Sequence, residues 1–508
     1  MTLQSGRLSQ VKIYMIGIKG TGMAALAELL VHEGAEVSGS DVADQFYTDA
    51  ILKKNSIPVF QGFDANQVPY DAELIIYSSA YDPQTHPELQ RVLTLELPMM
   101  EYSAALAAYS RSIPFAAVAG VHGKTTTTAM IGTMIRRLEL PAKVLVGSGV
   151  SNFQGSPTYS GGNDFFVAET CEYRRHFLNF NPQVCLITSI EADHLDYFEN
   201  EADVRFAFTQ LMEKLPPGGT VVYCADDPGA KQTVESYASG NPGLNYIPYG
   251  FSSGETELEP LRSYRISNHR VESGSQSFTL ERVPGAVQPR NPDSVGRPVS
   301  GEPARRDIRL QYPGVHSVLN AAGALALLES IVSLGGESAG SIGFDDLSDA
   351  LGQFTGTTRR SEVVGQAKGI TIIDDYAHHP RAIAGTLQGF RDFYPGRRIV
   401  VDFMSHTYSR TFALKDEFAQ CFQAADVLVL NDIYASAREE NRWGIRGEDL
   451  AEAVSRNHSH VHYIPDFSGA AEFAQKHLQS GDIFVTMGAG DNWRVGRMVL
   501  NALEARSS

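Results

Sequence analysis

The residues whose spacing carries the most chemistry are Val118-Ala119-Gly120-Val121-His122-Gly123-Lys124-Thr125-Thr126-Thr127-Thr128, where an apolar run ends in a glycine-flanked Gly-Lys-Thr that opens a helical pattern. Backbone N–H groups of such a loop, with the positive end of a helix behind them, hold polyphosphate oxygens. Lys124 is spaced to reach the outer phosphates and the Thr125 hydroxyl to sit on a magnesium ion. The strict eight-residue phosphate-loop spacing asks for its first glycine where this chain has Val118, so Gly120 must serve a tighter loop.

A second glycine pattern lies near the N-terminus. In Gly17-Ile18-Lys19-Gly20-Thr21-Gly22-Met23-Ala24-Ala25, residues Gly20, Gly22 and Ala25 satisfy G-x-G-x-x-A, and Asp41 follows about 20 residues on. The fingerprint brings backbone close to a diphosphate and an acid to a ribose hydroxyl, which fits NAD and a nucleotide sugar equally well. Farther along, Glu169 ends the apolar run from Phe165, and His194 follows another in Ile190-Glu191-Ala192-Asp193-His194-Leu195-Asp196. Strand ends in open α/β sheets converge on a ligand crevice, so Thr125, Glu169 and His194 are candidate metal ligands. The C-terminal third adds Asp374-Asp375-Tyr376-Ala377-His378-His379-Pro380 and Ser405-His406-Thr407-Tyr408-Ser409-Arg410, each after an apolar run. Arg359 and Arg360 stand before them, placed to stabilise charge on a transferring phosphoryl group.

Three series of short apolar, β-branched runs alternating with helical patterns must position these residues, which predicts parallel sheets covered by helices. The expected architecture is α/β in three domains: a Rossmann-like domain over 1–111, a central P-loop ATPase-like domain with a mostly parallel sheet over 112–350, and a Rossmann-like domain over 351–508. The segment 272–306, rich in Ser, Pro, Gly and Arg, breaks the rhythm and is predicted to be a mobile surface loop. The formal net charge of −17 argues against broad binding to nucleic acid or anionic membrane. No apolar run approaches the length of a membrane span, and the run Val11–Gly17 carries a lysine and resembles a first strand rather than a secretory signal, so a soluble cytoplasmic protein is expected. Cys171, Cys185, Cys224 and Cys421 show no paired spacing, as expected of reduced thiols.

Taken together, the chain resembles the Mur ligase family. The resemblance rests on Gly17 to Ala25, Gly120 to Thr126, Glu169 and Asp193-His194, Pro313-Gly314-Val315-His316-Ser317-Val318-Leu319-Asn320, Arg359-Arg360, Asp374 to Pro380, His406 to Arg410, and Asp432-Ile433-Tyr434-Ala435. It covers essentially the whole chain outside 272–306. It implies an ATP- and magnesium-dependent ligase, with manganese as an alternative metal, that joins L-alanine to the lactyl carboxylate of UDP-N-acetylmuramate through an acyl phosphate. The implied UDP-substrate site comprises Gly20, Thr21, Gly22, Met23, Asp41, Ser78 and Ser79. The implied ATP site comprises Gly120, His122, Gly123, Lys124, Thr125, Thr126, Asn320, Arg360 and Asp375, with Thr125, Glu169 and His194 as metal ligands. Tyr376, His378, His406 and Arg410 fall to the amino-acid and muramoyl region, and Lys124, His194, Arg360 and His378 to catalysis, His378 as base. A monomer or homodimer is expected.

The chain departs from the family pattern in three places. Ser317 stands where asparagine is usual, Met404-Ser405 replace Gln-Pro, and Thr170-Cys171-Glu172-Tyr173 replace the common Ala-Asp-Glu-Ser. Phe208 occupies the approximate position of a lysine that some sister ligases carbamoylate, which fits the alanine-adding branch. A recycling ligase that attaches a preformed tripeptide to the same nucleotide sugar is the near alternative, and a non-catalytic nucleotide-binding regulator the distant one.

Overall fold

The computed structural model describes residues 3, 8–194, 197–285, 303–334, 342–435 and 439–505. The first series folds as β1 (Lys12–Ile16), α1 (Thr21–His32), β2 (Glu36–Asp41), α2 (Asp49–Lys54), β3 (Val59–Gln61), β4 (Leu74–Tyr77), α3 (Pro87–Thr94), β5 (Met99–Glu101) and α4 (Tyr102–Ser110). Its strands form one parallel sheet in the order β3-β2-β1-β4-β5. The interior of β1, Ile13 to Ile16, is buried on both faces, which is why its sequence reads as a continuous apolar run rather than an alternation.

The second series comprises β6 (Phe115–Ala119), α5 (Lys124–Arg137), β7 (Ala142–Leu145), β8 (Thr158–Ser160), β9 (Phe165–Glu169), β10 (Val184–Ile187), α6 (Glu201–Met212), β11 (Thr220–Cys224), α7 (Pro228–Gly240) and β12 (Asn245–Gly250). It continues through β13 (Arg262–Glu272), β14 (Ser275–Pro284), β15 (Ala304–Leu310), α8 (Val315–Val332) and α9 (Phe344–Leu351). The strands make a ten-stranded sheet in the order β15-β14-β13-β12-β11-β10-β6-β9-β7-β8. The expected surface loop over 272–306 is therefore corrected: its first part is the strand β14, its last residues begin β15, and 286–302 lie outside the described residues. Polar side chains of β14 are buried with partners, Arg282 on Glu329 of α8 and Thr279 on Asp307 of β15, so composition concealed a strand.

The third series is β16 (Glu362–Ala367), β17 (Ile370–Asp375), α10 (Pro380–Phe393), β18 (Ile399–Phe403), α11 (Tyr408–Ala413), α12 (Lys415–Phe418), β19 (Val427–Leu430), α13 (Gly447–Ser455), β20 (Val461–Tyr463), α14 (Phe467–His477), β21 (Ile483–Met487) and α15 (Trp493–Ala505). Its sheet runs β16-β17-β21-β18-β19-β20, parallel except for the edge strand β16. The elements form two compact units, one of residues 1–267, 279–308 and 319–353, the other of 268–278, 309–318 and 354–508.

Helix starts differ in whether a side chain caps them, and several besides those at the glycine loops have none. Asp227, Asn200 and Asp466 cap α7, α6 and α14 by accepting backbone N–H bonds, from Ala230 at 2.8 Å, Asp203 at 3.1 Å and Gly469 at 2.9 Å. By contrast α1 and α5 begin at Gly20 and Gly123 with no side-chain cap, leaving their first N–H groups to an anion. By length and composition alone the 18-residue helix α8 is apolar enough to cross a membrane, but 83% of it is buried inside the protein. All four cysteines are free thiols.

Candidate active site

Strand β6 lies between β9 and β10, so the loop leaving it is flanked by Glu169 at the end of β9 and by Thr188 to His194 after β10. Gly120 has φ +136°, and any Cβ there would fall on the Thr188 hydroxyl. Gly123 has φ +85°, and a Cβ would lie 2.6 Å from the Asn320 amide oxygen, so Asn320 reaches the loop only because residue 123 is glycine. The Lys124 ammonium donates to Glu172 at 2.8 Å and to the Gly120 carbonyl. Burial alone would lower its pKa, but Glu172, with Glu169 behind it, outweighs that effect and raises it, so Lys124 is a fixed positive charge. The Thr125 hydroxyl donates to Glu169 at 2.8 Å. His194 Nε2 stands 3.7 Å from the other oxygen of Glu172, its backbone held at φ +53° and its ring 4.7 Å from that of Tyr173. His122 Nε2 lies 2.5 Å from Glu191, and its N–H donates to the Ser189 hydroxyl at 2.9 Å. Thr126 is buried in the first turn of α5.

Lys124, Thr125, Glu169 and His194 are thus brought together, and Glu172, to which sequence reasoning assigned no role, sits among them. Its position three residues after Glu169, just beyond a strand end, was the available signal. Two carboxylates, a hydroxyl and an imidazole are the donor set of a hard divalent cation. Phe208 is fully buried, its ring 5.2 Å from Phe177, so that place on α6 is core.

The glycine loop after β1 uses its acids differently. Asp41, at the end of β2, accepts the Lys19 N–H at 2.7 Å and the Val42 N–H at 2.8 Å, and burial raises its pKa. The Lys19 ammonium turns away to the carbonyls of Val42 and Asp44, each at 2.8 Å. Met23 is in the core and offers only its backbone, while the Thr21 hydroxyl accepts from Tyr47 at 2.9 Å. Ser78 follows β4, bonded through its N–H to Ile16 at 3.0 Å, and its hydroxyl accepts the Ala80 N–H at 3.3 Å across Ser79.

In the C-terminal unit the Arg360 guanidinium lies 4.8 Å from the centre of the Tyr376 ring, and Arg359 5.1 Å from it. Arg359 is committed to Asp374 at 2.9 Å and to the Gly488 carbonyl at 2.9 Å. Asp375 accepts the N–H groups of Ser361 at 2.7 Å and Ala377 at 2.8 Å, which makes it a brace for the loop it starts. His378 Nδ1 pairs with the Tyr376 carbonyl at 2.9 Å, and its ring is 6.2 Å from that of His406, which stacks on Tyr434 at 5.7 Å. Arg410 donates to the His406 carbonyl at 2.8 Å. Glu439, absent from the sequence reading, accepts the N–H groups of Tyr408 at 2.7 Å and Ser409 at 3.0 Å at the start of α11. Ser317, the departure before α8, is fully buried: its hydroxyl meets the carbonyls of Gly314 at 2.7 Å and Pro313 at 3.0 Å and accepts from Gln276 at 2.7 Å.

Comparison with known proteins matches this architecture along the chain. Residues 12–113 match the Mur ligase family catalytic domain, 118–328 the Mur ligase middle domain, and 359–490 the Mur ligase glutamate ligase domain. A UDP-N-acetylmuramate L-alanine ligase of Treponema pallidum is 44% identical over 497 residues, 97% of each chain. Among solved structures, a UDP-N-acetylmuramate-alanine ligase from Thermotoga maritima matches with a TM-score of 0.74 at 23% identity, covering 97% of this chain and 99% of that one. A murein peptide ligase from Psychrobacter arcticus matches at 0.67 and 21%, covering 97% and 98%. The chain belongs to the Mur ligase family.

Proposed function

We propose that this protein is an ATP-dependent ligase that forms the amide between L-alanine and the lactyl carboxylate of UDP-N-acetylmuramate, a step of peptidoglycan precursor synthesis. The observation that carries the reading is the convergence of Lys124, Thr125, Glu169, Glu172 and His194 around an uncapped glycine loop. The full-length likeness to the Treponema pallidum alanine ligase supports the choice of substrates. In this reading residues 1–111 bind the UDP part, 112–350 bind ATP, and 351–508 bring the amino acid.

A carboxylate oxygen of the sugar nucleotide attacks the γ-phosphorus of ATP, the bridging P–O bond breaks, and ADP leaves with an acyl phosphate behind. Lys124 draws charge onto the outer phosphate oxygens from a fixed position, and the N–H groups at the start of α5 hold the rest. Gly120, His122, Gly123 and Thr126 shape that cradle, and Asn320 lies against it on the adenine side. Thr125, Glu169, Glu172 and His194 would hold magnesium, which supplies further charge neutralisation to the phosphates. Arg360, stacked on Tyr376, adds a second cation for the transferring group. The neutral amine of alanine then attacks the acyl carbonyl and phosphate leaves. With Nδ1–H given to the Tyr376 carbonyl, the basic lone pair of His378 is on Nε2, the form that takes the proton from the ammonium. His406 and Arg410 orient the carboxylates of that region. Gly20, Thr21, Gly22 and the Met23 backbone hold the diphosphate, with Asp41, Ser78 and Ser79 setting the loop. A cytoplasmic location suits a reaction that uses ATP.

Phosphate release and product mass, measured with ATP, magnesium and UDP-N-acetylmuramate, test the reading. Turnover is expected with L-alanine. Turnover with a murein tripeptide and none with alanine would move the protein to the recycling branch, and no turnover with either amine would sink the ligase reading.

A further inference from the structure

Tyr102 belongs to neither glycine loop, yet it packs on the first, and its chain neighbours are tied to the segment after Glu172. It opens α4 directly after β5, at the sheet edge from which the β1 loop also leaves. Its hydroxyl packs on Gly22: a Cβ there would lie 2.5 Å from the phenolic oxygen. The residues on either side are fastened to the segment that follows Glu172. Glu101 lies 3.2 Å from His176 Nε2, and the Ser103 hydroxyl accepts from Asn179 at 3.1 Å. Burial first, and then the negative charge of Glu169, hold the phenol well above its ordinary pKa, so it keeps its proton and remains a donor. Among the described residues that hydroxyl has no hydrogen-bond partner, although the ring is half-buried. A phenolic donor packed on the first glycine loop, with its neighbours tied to the segment after Glu172, is placed to meet an anionic oxygen of a ligand that leaves that loop toward Lys124.

We propose that Tyr102 is a substrate-contact residue whose hydroxyl donates to an anionic oxygen of the nucleotide sugar on the path from the Gly20–Met23 loop to Lys124. The inference rests on the ligase reading above. It assigns Tyr102 to the orientation of the reacting carboxylate and Gly22 to making room for the phenol.

Tyr102→Phe removes the hydroxyl and keeps the ring. With an unchanged melting temperature, kcat/KM for UDP-N-acetylmuramate is expected to fall about tenfold or more, as befits a lost hydrogen bond to a charged group, while the KM values for ATP and alanine stay unchanged. Calorimetric titration with UDP-N-acetylmuramate alone gives a second readout. If the Phe variant does not fold, Tyr102→Gln, which retains a donor, is compared with Tyr102→Leu, and the Gln form is expected to bind the nucleotide sugar more tightly. Equal kcat/KM for wild type and Tyr102→Phe, or a loss shared equally by ATP, overturns the proposal and leaves the ligase reading intact. Wild-type protein that neither binds nor ligates the nucleotide sugar overturns both.

Discussion

At the end of β1 a carboxylate braces the loop, Asp41 accepting the Lys19 N–H at 2.7 Å while the Lys19 ammonium is spent on the carbonyls of Val42 and Asp44. At the end of β6 the loop backbone is held instead by Ser189, whose hydroxyl accepts the His122 N–H at 2.9 Å. This loop's lysine lies inside the cradle, on Glu172 and the Gly120 carbonyl, and its threonine is on Glu169. Both loops leave a parallel strand for an uncapped helix, so the backbone device is shared and the handling of charge is not. The first loop offers dipoles alone, which suffices for a diphosphate that only has to be held. The second gathers fixed full charges, an ammonium and carboxylates, around a phosphate whose charge changes during reaction.

The contrast breaks most directly at the lysines. Lys124→Met is expected to lower kcat about 1000-fold in the phosphate-release assay, the scale of losing one preorganised donor, while calorimetric binding of UDP-N-acetylmuramate persists. Equal loss of both would mean that the two loops are not separable. A third carboxylate sharpens the comparison because it has neither brace nor cation. Asp402, fully buried in β18, receives the Asn431 amide at 3.0 Å and the Asn492 amide at 3.4 Å, and burial pushes its pKa up to about 7. The folded protein therefore keeps a proton that the unfolded chain gives up, and this group's contribution to stability is lost as pH rises from about 4 to about 7. Denaturant unfolding at a series of pH values is expected to show Asp402→Asn removing a slope of at most about 1.4 kcal/mol per pH unit.

Smaller effects follow at the brace. Asp41→Ala leaves the Lys19 N–H without its acceptor, with an expected loss of about 2 kcal/mol in unfolding free energy, a higher KM for the nucleotide sugar and an unchanged KM for ATP. A rise in the ATP KM instead would show that the loops are coupled. Thr125→Ser keeps the hydroxyl on Glu169 and is expected to leave turnover nearly unchanged, the smallest effect of the set.

The glycine loops were legible in the sequence because their chemistry is written in local spacing, and the parallel strands because burial on both faces makes them continuously apolar. Glu172 was not, since its role arises from Lys124 and His194, which meet it only after β6, β9 and β10 are laid side by side. The bonds that Asp41 and Asp375 accept from their own loops were not legible either, because they arise only when the loop folds back on the strand end. Tyr102 was hidden for a related reason: nothing in its neighbourhood announces Gly22, eighty residues earlier. Ser317 stands where the family has asparagine, and its partner Gln276 sits on a strand that composition had disguised as loop.

Helix α8 carries a mean hydropathy of 1.5 across 18 residues and would be a hazard if made first. Its cover precedes it along the chain. A Cβ on Gly323 would lie 2.8 Å from the Tyr249 ring and 3.0 Å from Leu186, both on strands far upstream. On a ribosome those strands emerge before the helix does, so vectorial synthesis delivers α8 to a surface already available to receive it. A circular permutation that began translation at Val315 would reverse that order, and the nascent helix would present itself to membranes and chaperones before any partner existed.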